Sequence, residues 1–204
     1  MVKIKTSPPE GSILNINHRK FDYFDSYQGT LCDADNNLTL VDAAKAFISS
    51  RPGWVRKLFI LRNLTVSLFG LKTPRRTGNS QDQLENFKYE KGYKLGLFKV
   101  HERTEHEIIL GEDDKHLNFR ASLFIERRHD NPQLKNLIVS TAVDFNNLFG
   151  RLYFLAVMPF HKLIVQTTLG GAIKELEKRN GLSTNNVVVK IDNSQVHSSK
   201  VIGL

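Results

Sequence analysis

Residues 107–128 read EIILGEDDKHLNFRASLFIERR, and how this stretch divides decides the fold. From Leu117 onward apolar and polar residues alternate. Leu117, Phe119, Ala121, Leu123 and Ile125 fall on one side, and His116, Asn118, Arg120, Ser122 and Glu126 on the other. Period-two alternation of this length is the pattern of a half-buried antiparallel strand. HEIILG at 106–111 is a second strand, and the Gly-Glu-Asp-Asp that follows it has turn chemistry. The same turn gathers Asp113, Asp114 and His116, with Arg120 close behind, which are residue types of a metal or acid–base site. A metal needs three or four ligands converging at about 2.0–2.2 Å. Consecutive acids in a turn point apart into water, so the preferred reading is structural: Asp114 closes the hairpin, and Arg120 pairs with Asp113 or Asp114.

Strands continue on both sides. LGLFKVHERT at 95–104 precedes the hairpin, and LIVSTAVDF at 137–145 follows it after the turn residues Asp130, Asn131 and Pro132. Near the N-terminus KFDYFDSYQGTL alternates too, with Phe21, Tyr23, Asp25 and Tyr27 on one face. A helix follows from Thr39, where Thr39 and Asp42 form a variant of the capping box. Val41, Ala44, Phe47 and Ile48 share its apolar face. Arg51-Pro52-Gly53 breaks it and opens a second helix, whose buried side holds Trp54, Leu58, Leu61 and Leu68. The last large element runs from Asn146–Asn147 to about Lys178 with apolar residues at helical spacing, and Pro159 predicts a kink inside it. Its longest clean apolar run, Leu152–Phe160, is short of the ~20 residues of a membrane span. A buried helix is the expectation, and no transmembrane span is.

Segregated helices and antiparallel strands indicate an α+β fold: a curved sheet around one long C-terminal helix, with two short helices after the first strand. Residues 1–17 read as a loose arm, 18–180 as a single domain, and 181–204 as a tail.

The chain has 204 residues and one cysteine, Cys32. One cysteine excludes an internal disulfide and any cysteine-based zinc motif, and it points to a reducing, cytoplasmic setting. The formal charge is +8, and its location matters more than its size. Ala43 to Gln81 contains no acid and eight of the 29 basic residues, from Lys45 to Arg76, leaving 21 basic against 21 acidic residues elsewhere. Such a stretch is either a solvated helix face or a surface for an acidic partner or an anionic membrane. No nucleic-acid-binding motif accompanies it, so nucleic acid is not expected.

SSRPGWVRKLFILRN, FGLKT, LGLFKV, EIILGEDDKHLNFRASL, TAVDFNNLFGRLYF and PFHKLIV occur in this order. Together, over roughly residues 18–173, they resemble domain-of-unknown-function family 2867. The resemblance implies a helix-grip, START-like fold, which often keeps an apolar cavity between sheet and helix. Some relatives carry the domain after a short-chain-dehydrogenase-like NAD(P)-binding domain, which makes a separate NAD(P)-binding protein a possible partner. No GxGxxG occurs here, so no cofactor is expected on this chain.

Two functions fit. One is a binding module for a small, mostly apolar or amphipathic ligand, with Arg120, Arg151, His116, Asp114 and Trp54 as ligand-binding candidates. The alternative is a cyclase- or isomerase-like enzyme with His161 as its acid–base group, assisted by Arg120 or Tyr153. The bland readings are ion pairs for the arginines, with Asp113, Asp114 or Asp144, and a backbone hydrogen bond for His161. The enzyme requires His161 and a helper to face one space. The module requires that space to be open.

Overall fold

The computed structural model describes residues 2–5, 7–18, 20–50, 53, 87–95 and 98–180. The described strands are β1 (Val2–Lys5), β2 (Tyr23–Cys32), β3 (Lys94–Leu95), β4 (Phe98–Arg103), β5 (Glu107–Asp113), β6 (Leu117–Arg127) and β7 (Leu134–Phe145). The described helices are α1 (Leu40–Ser49), α2 (Leu148–Arg179) and a 3-10 helix, Ile13–His18. One antiparallel sheet runs in the order β1-β2-β7-β6-β5-β4-β3. The α+β sheet and its long C-terminal helix are as the sequence indicates. The second short helix, Trp54 and the 181–204 tail lie outside the described residues.

β5 and β6 form the hairpin read from the sequence, with Glu112 opposite Phe119 and Gly111 opposite Arg120. Because strand side chains alternate, register fixes which residues share a face. Tyr27, Val139 and Leu123 line up across β2, β7 and β6 on the inner face. α2 lies over β2 and β7 on that face, and α1 packs against α2. Leu31, Leu137, Val139, Leu169, Ile173 and Leu176 form the buried core there. The C-terminal half of the helix–sheet interface is thus filled by aliphatic side chains. This falls where the resemblance allows a cavity.

α1 begins with both halves of the capping box. Thr39 Oγ1 accepts from Asp42 N at 3.2 Å, and Thr39 N donates to Asp42 Oδ2 at 3.0 Å. A buried ion pair, Lys135 Nζ to Asp33 Oδ2 at 2.6 Å, anchors the loop before it, and Lys135 also donates to Leu38 O. At the far end Ser50 Oγ donates to Glu175 on α2 at 2.9 Å.

The N-terminal arm is not loose. Val2–Lys5 pairs with β2 as an edge strand, and the 3-10 helix covers the outer face of the sheet. The physical reason is a buried carboxylate. Glu107, 1% exposed, accepts from Ser12 Oγ at 2.7 Å, Ile13 N at 2.6 Å and Ser122 Oγ. Leu14 then packs on Ile109 and Ala142. A charge is tolerated in such a place only when its lone pairs are satisfied, and here the arm supplies two of the donors.

Candidate acid–base site

Gly111, Glu112 and Asp113 are paired residues of β5 and not part of the turn the sequence suggests, so the turn falls at Asp114–His116, and it is a docking device. His116 N donates to Asp114 Oδ1, and Asp114 N donates to Leu117 O, which closes the hairpin. The turn then meets the start of α2. Asn146 N donates to His116 O at 2.9 Å, and the Asn146 and Asn147 amides donate to Asp114 O and Lys115 O. Asn147 Oδ1 caps Gly150 N at 3.0 Å, and the His116 ring lies 4.6 Å from Phe149. Gly150 is required: a Cβ there would sit 2.0 Å from His116 O. Asp114 and His116 therefore hold the helix in place. Among the described residues no three His, Cys, Asp or Glu side chains converge as a metal site.

Arg120 and Arg151 do not meet His161. Arg120 sits on the outer face of the sheet, the side away from α2, with Nη2 2.7 Å from Asp113 Oδ1. This is the ion-pair reading of that residue. Arg151 is exposed, its guanidinium 3.7 Å from Asp22 and 5.6 Å above the Phe145 ring. Its acid is Asp22, not the Asp113, Asp114 or Asp144 expected. Tyr153 lies eight residues before His161 on α2, which separates their Cα atoms by about 12 Å along the helix. It is half-buried and has a partner of its own. A groove of about 390 Å³ lined by Lys3, Gln28, Thr30, Arg128 and Asn136 also lies on the outer face, away from His161.

The structure does gather a cluster around His161, built from β2. Tyr23, Asp25 and Tyr27 sit two residues apart, so one strand face carries all three toward α2. His161 Nε2 is 3.3 Å from Asp25 Oδ1 and equally from Oδ2. Tyr23 Oη donates to Asp25 Oδ2 at 2.7 Å. Tyr27 is near enough to Asp25 and Gln166 for both to act on its hydroxyl. Phe154 closes the side, 4.6 Å from the Tyr23 ring and 6.4 Å from His161. Asp25 is 8% exposed, whereas the His161 side chain keeps 19%. Pro159 lies two residues before His161 and does not end the helix.

The electrostatics follow from this geometry. Burial alone would raise the Asp25 carboxyl, but the hydrogen bond and charge of His161, with the Tyr23 and Tyr27 hydroxyls, outweigh it. Asp25 is held below the usual carboxylate range. Burial and the Asp25 charge push the Tyr23 hydroxyl well up, and burial first and Asp25 second raise Tyr27 to about 12. Both tyrosines thus stay protonated and serve as donors. With Nε2–H directed at Asp25, a neutral His161 ring carries its lone pair on Nδ1, which is free in tautomeric terms to accept a proton. This is the division of labour in which a buried carboxylate orients an imidazole base.

The sequence points to His161 with Arg120 or Tyr153 as its helper, or with a backbone partner, and gives Asp25 no role. The usable signal was an acid on the inward side of an alternating strand, flanked at both ±2 positions by tyrosine. An inward acid needs partners, and two tyrosines supply only part of what it needs.

No curated protein and no solved structure matches this chain. The family described as Protein of unknown function (DUF2867) matches residues 18–168, from just before β2 into the second half of α2 and across the whole Tyr23–Asp25–His161 cluster, and the chain belongs to that family.

Proposed function

We propose that the protein binds a small, mostly apolar molecule where the N-terminal half of α2 crosses β2, and that His161 on Asp25 is the polar anchor of that site. The observation carrying this reading is the Tyr23–Asp25–His161 cluster: a buried carboxylate with two kinds of donor, set among Phe154 and Phe145 rings. An apolar wall with a few convergent polar groups is the composition of a small-molecule site. The filled C-terminal half of the interface directs the site to the N-terminal half.

The second reading, proton transfer by His161, is supported by the contact of its Nε2 with Asp25. A ligand held at Nδ1 exchanges a proton there, with Asp25 stabilising the imidazolium. The helper is then Tyr23, not Tyr153 or Arg120. One experiment separates the readings: mass spectrometry of organic extracts of the purified wild type, His161→Ala and Asp25→Asn proteins. Binding alone is expected to give one compound in the wild type, depleted in both variants. Catalysis is expected to leave a different compound in the variants, the unconverted substrate. Equal recovery of one compound from all three proteins sinks both readings of this site.

A further inference from the structure

α2 is apolar on both sides along its first half. Inward, Phe154 is buried and Tyr153, Val157, Met158 and His161 are half-buried. Outward, Leu148, Leu152, Leu155, Phe160 and Leu163 are between 48% and 71% exposed. At 3.6 residues per turn these five and Pro159 fall in an arc of about 140°, running roughly 22 Å along the helix. A helix apolar all round belongs in an apolar setting on both sides. The sheet supplies one side, and nothing among the described residues covers the other. α2 is also long and apolar enough to cross a membrane, with mean hydropathy 1.4 over an 18-residue window of which 17% is buried. Its inner face is already committed to β2 and β7, so it can lie along a bilayer with the sheet behind it.

Charge selects the occupant. Phe145 to Lys174 contains no acid, and Arg151 and Lys162 border the stripe on one side. A second copy would bring the same stripe, with no acid of its own over Phe145–Lys174 and with the neighbouring Asp22 already 3.7 Å from Arg151. The chain's own residues 54–70 carry Arg56, Lys57 and Arg62 and no acid, and the 181–204 tail carries two lysines against one aspartate. Each would set cation near cation. An anionic lipid surface takes the leucines and Phe160 into its headgroup–acyl boundary and Arg151 and Lys162 at its phosphates. The eight cations of 43–81 add to the same attraction.

We propose that the outer face of α2, Leu148 to Leu163 with Arg151 and Lys162, docks the protein on an anionic membrane surface. This proposal is independent of the His161 site. The test is co-sedimentation of the full chain with vesicles of phosphatidylcholine alone and of equal parts phosphatidylcholine and phosphatidylglycerol. Sedimentation is expected only with the anionic vesicles. Arg151→Gln and Lys162→Gln are each expected to weaken it roughly fivefold. Leu152→Glu/Leu155→Glu changes two exposed residues, so the fold is expected to survive, as circular dichroism would check, while vesicle binding is lost. Three results overturn the proposal. One is no binding to anionic vesicles. Another is binding that the double leucine variant leaves intact, which assigns it to the basic stretch alone. The third is a dimer in light scattering that this variant dissociates, which assigns the stripe to a second copy.

Discussion

Breaking the contact between His161 and Asp25 tests the site without knowing its ligand. Hydrogen bonds to charged groups contribute about 1.5–3 kcal/mol. Here the 3.3 Å separation lies just beyond the usual range for N–H···O bonds, and the histidine side chain keeps 19% exposure. Both place the coupling at the lower end, about 1.5 kcal/mol. His161→Ala also leaves Asp25 buried with only its tyrosine donors, so that variant alone is expected to lose about 2 kcal/mol. Asp25→Ala loses packing as well, but a double-mutant cycle cancels terms that do not involve the partner. The assay is urea unfolding of the wild type, both single variants and the double variant, each fitted as two-state. The double variant is expected to be more stable than additivity allows by about 1.5 kcal/mol. Additivity within about 0.5 kcal/mol would mean that the two side chains are neighbours without a bond, and the acid–base reading would lose its basis.

Acid should act through the same aspartate. Its folded-state pKa lies below the ordinary carboxylate value, so its contribution to stability is complete at neutral pH. That contribution fades as pH falls below about 3.9 and through the folded-state value. Asp25→Asn should flatten this part of the acid stability curve, and an unchanged acid limb would contradict the assignment. Gly150→Ala forces a Cβ against His116 O, and overpacking of about 1–3 kcal/mol should exceed the gain in helix propensity of at most about 1 kcal/mol. A variant as stable as the wild type in thermal melts would show that the turn does not clamp α2. Glu107→Gln turns one acceptor oxygen toward Ser12, Ile13 and Ser122 into a donor, at a cost of about 1–3 kcal/mol. Amide exchange of Ser12–Asn15 should accelerate with it, and unchanged protection would show that the arm is held by Leu14 alone.

The sheet was legible because its signals are local. Alternation in β6 and β2 and the Thr39–Asp42 box each lie within one segment, and each forms where the sequence places it. The arm was illegible because its partner is remote: Glu107 lies 95 residues from Ser12. Its prolines and glycine describe the turns but not the carboxylate that collects them. The site failed in the same way. His161 and Asp25 are 136 residues apart, and only the packing of α2 over β2 decides that they meet. Arg120 could be placed on the outward face from alternation, yet alternation does not say which face carries the helix. The exposed side of α2 was hidden by its composition, since a helix rich in leucine and phenylalanine reads as buried all round.

The most direct measurement of the central claim is long-range nitrogen–proton NMR of the imidazole rings in the uniformly ¹⁵N-labelled protein, with His161 assigned from the His161→Ala spectrum. In the neutral ring of the wild type, the proton is expected on Nε2, facing Asp25, with Nδ1 bare, and Asp25→Asn is expected to disturb that preference. A neutral His161 with its proton on Nδ1, or a spectrum indifferent to Asp25→Asn, would contradict the account: Asp25 would not be orienting the ring, and Nδ1 would not be the site's base.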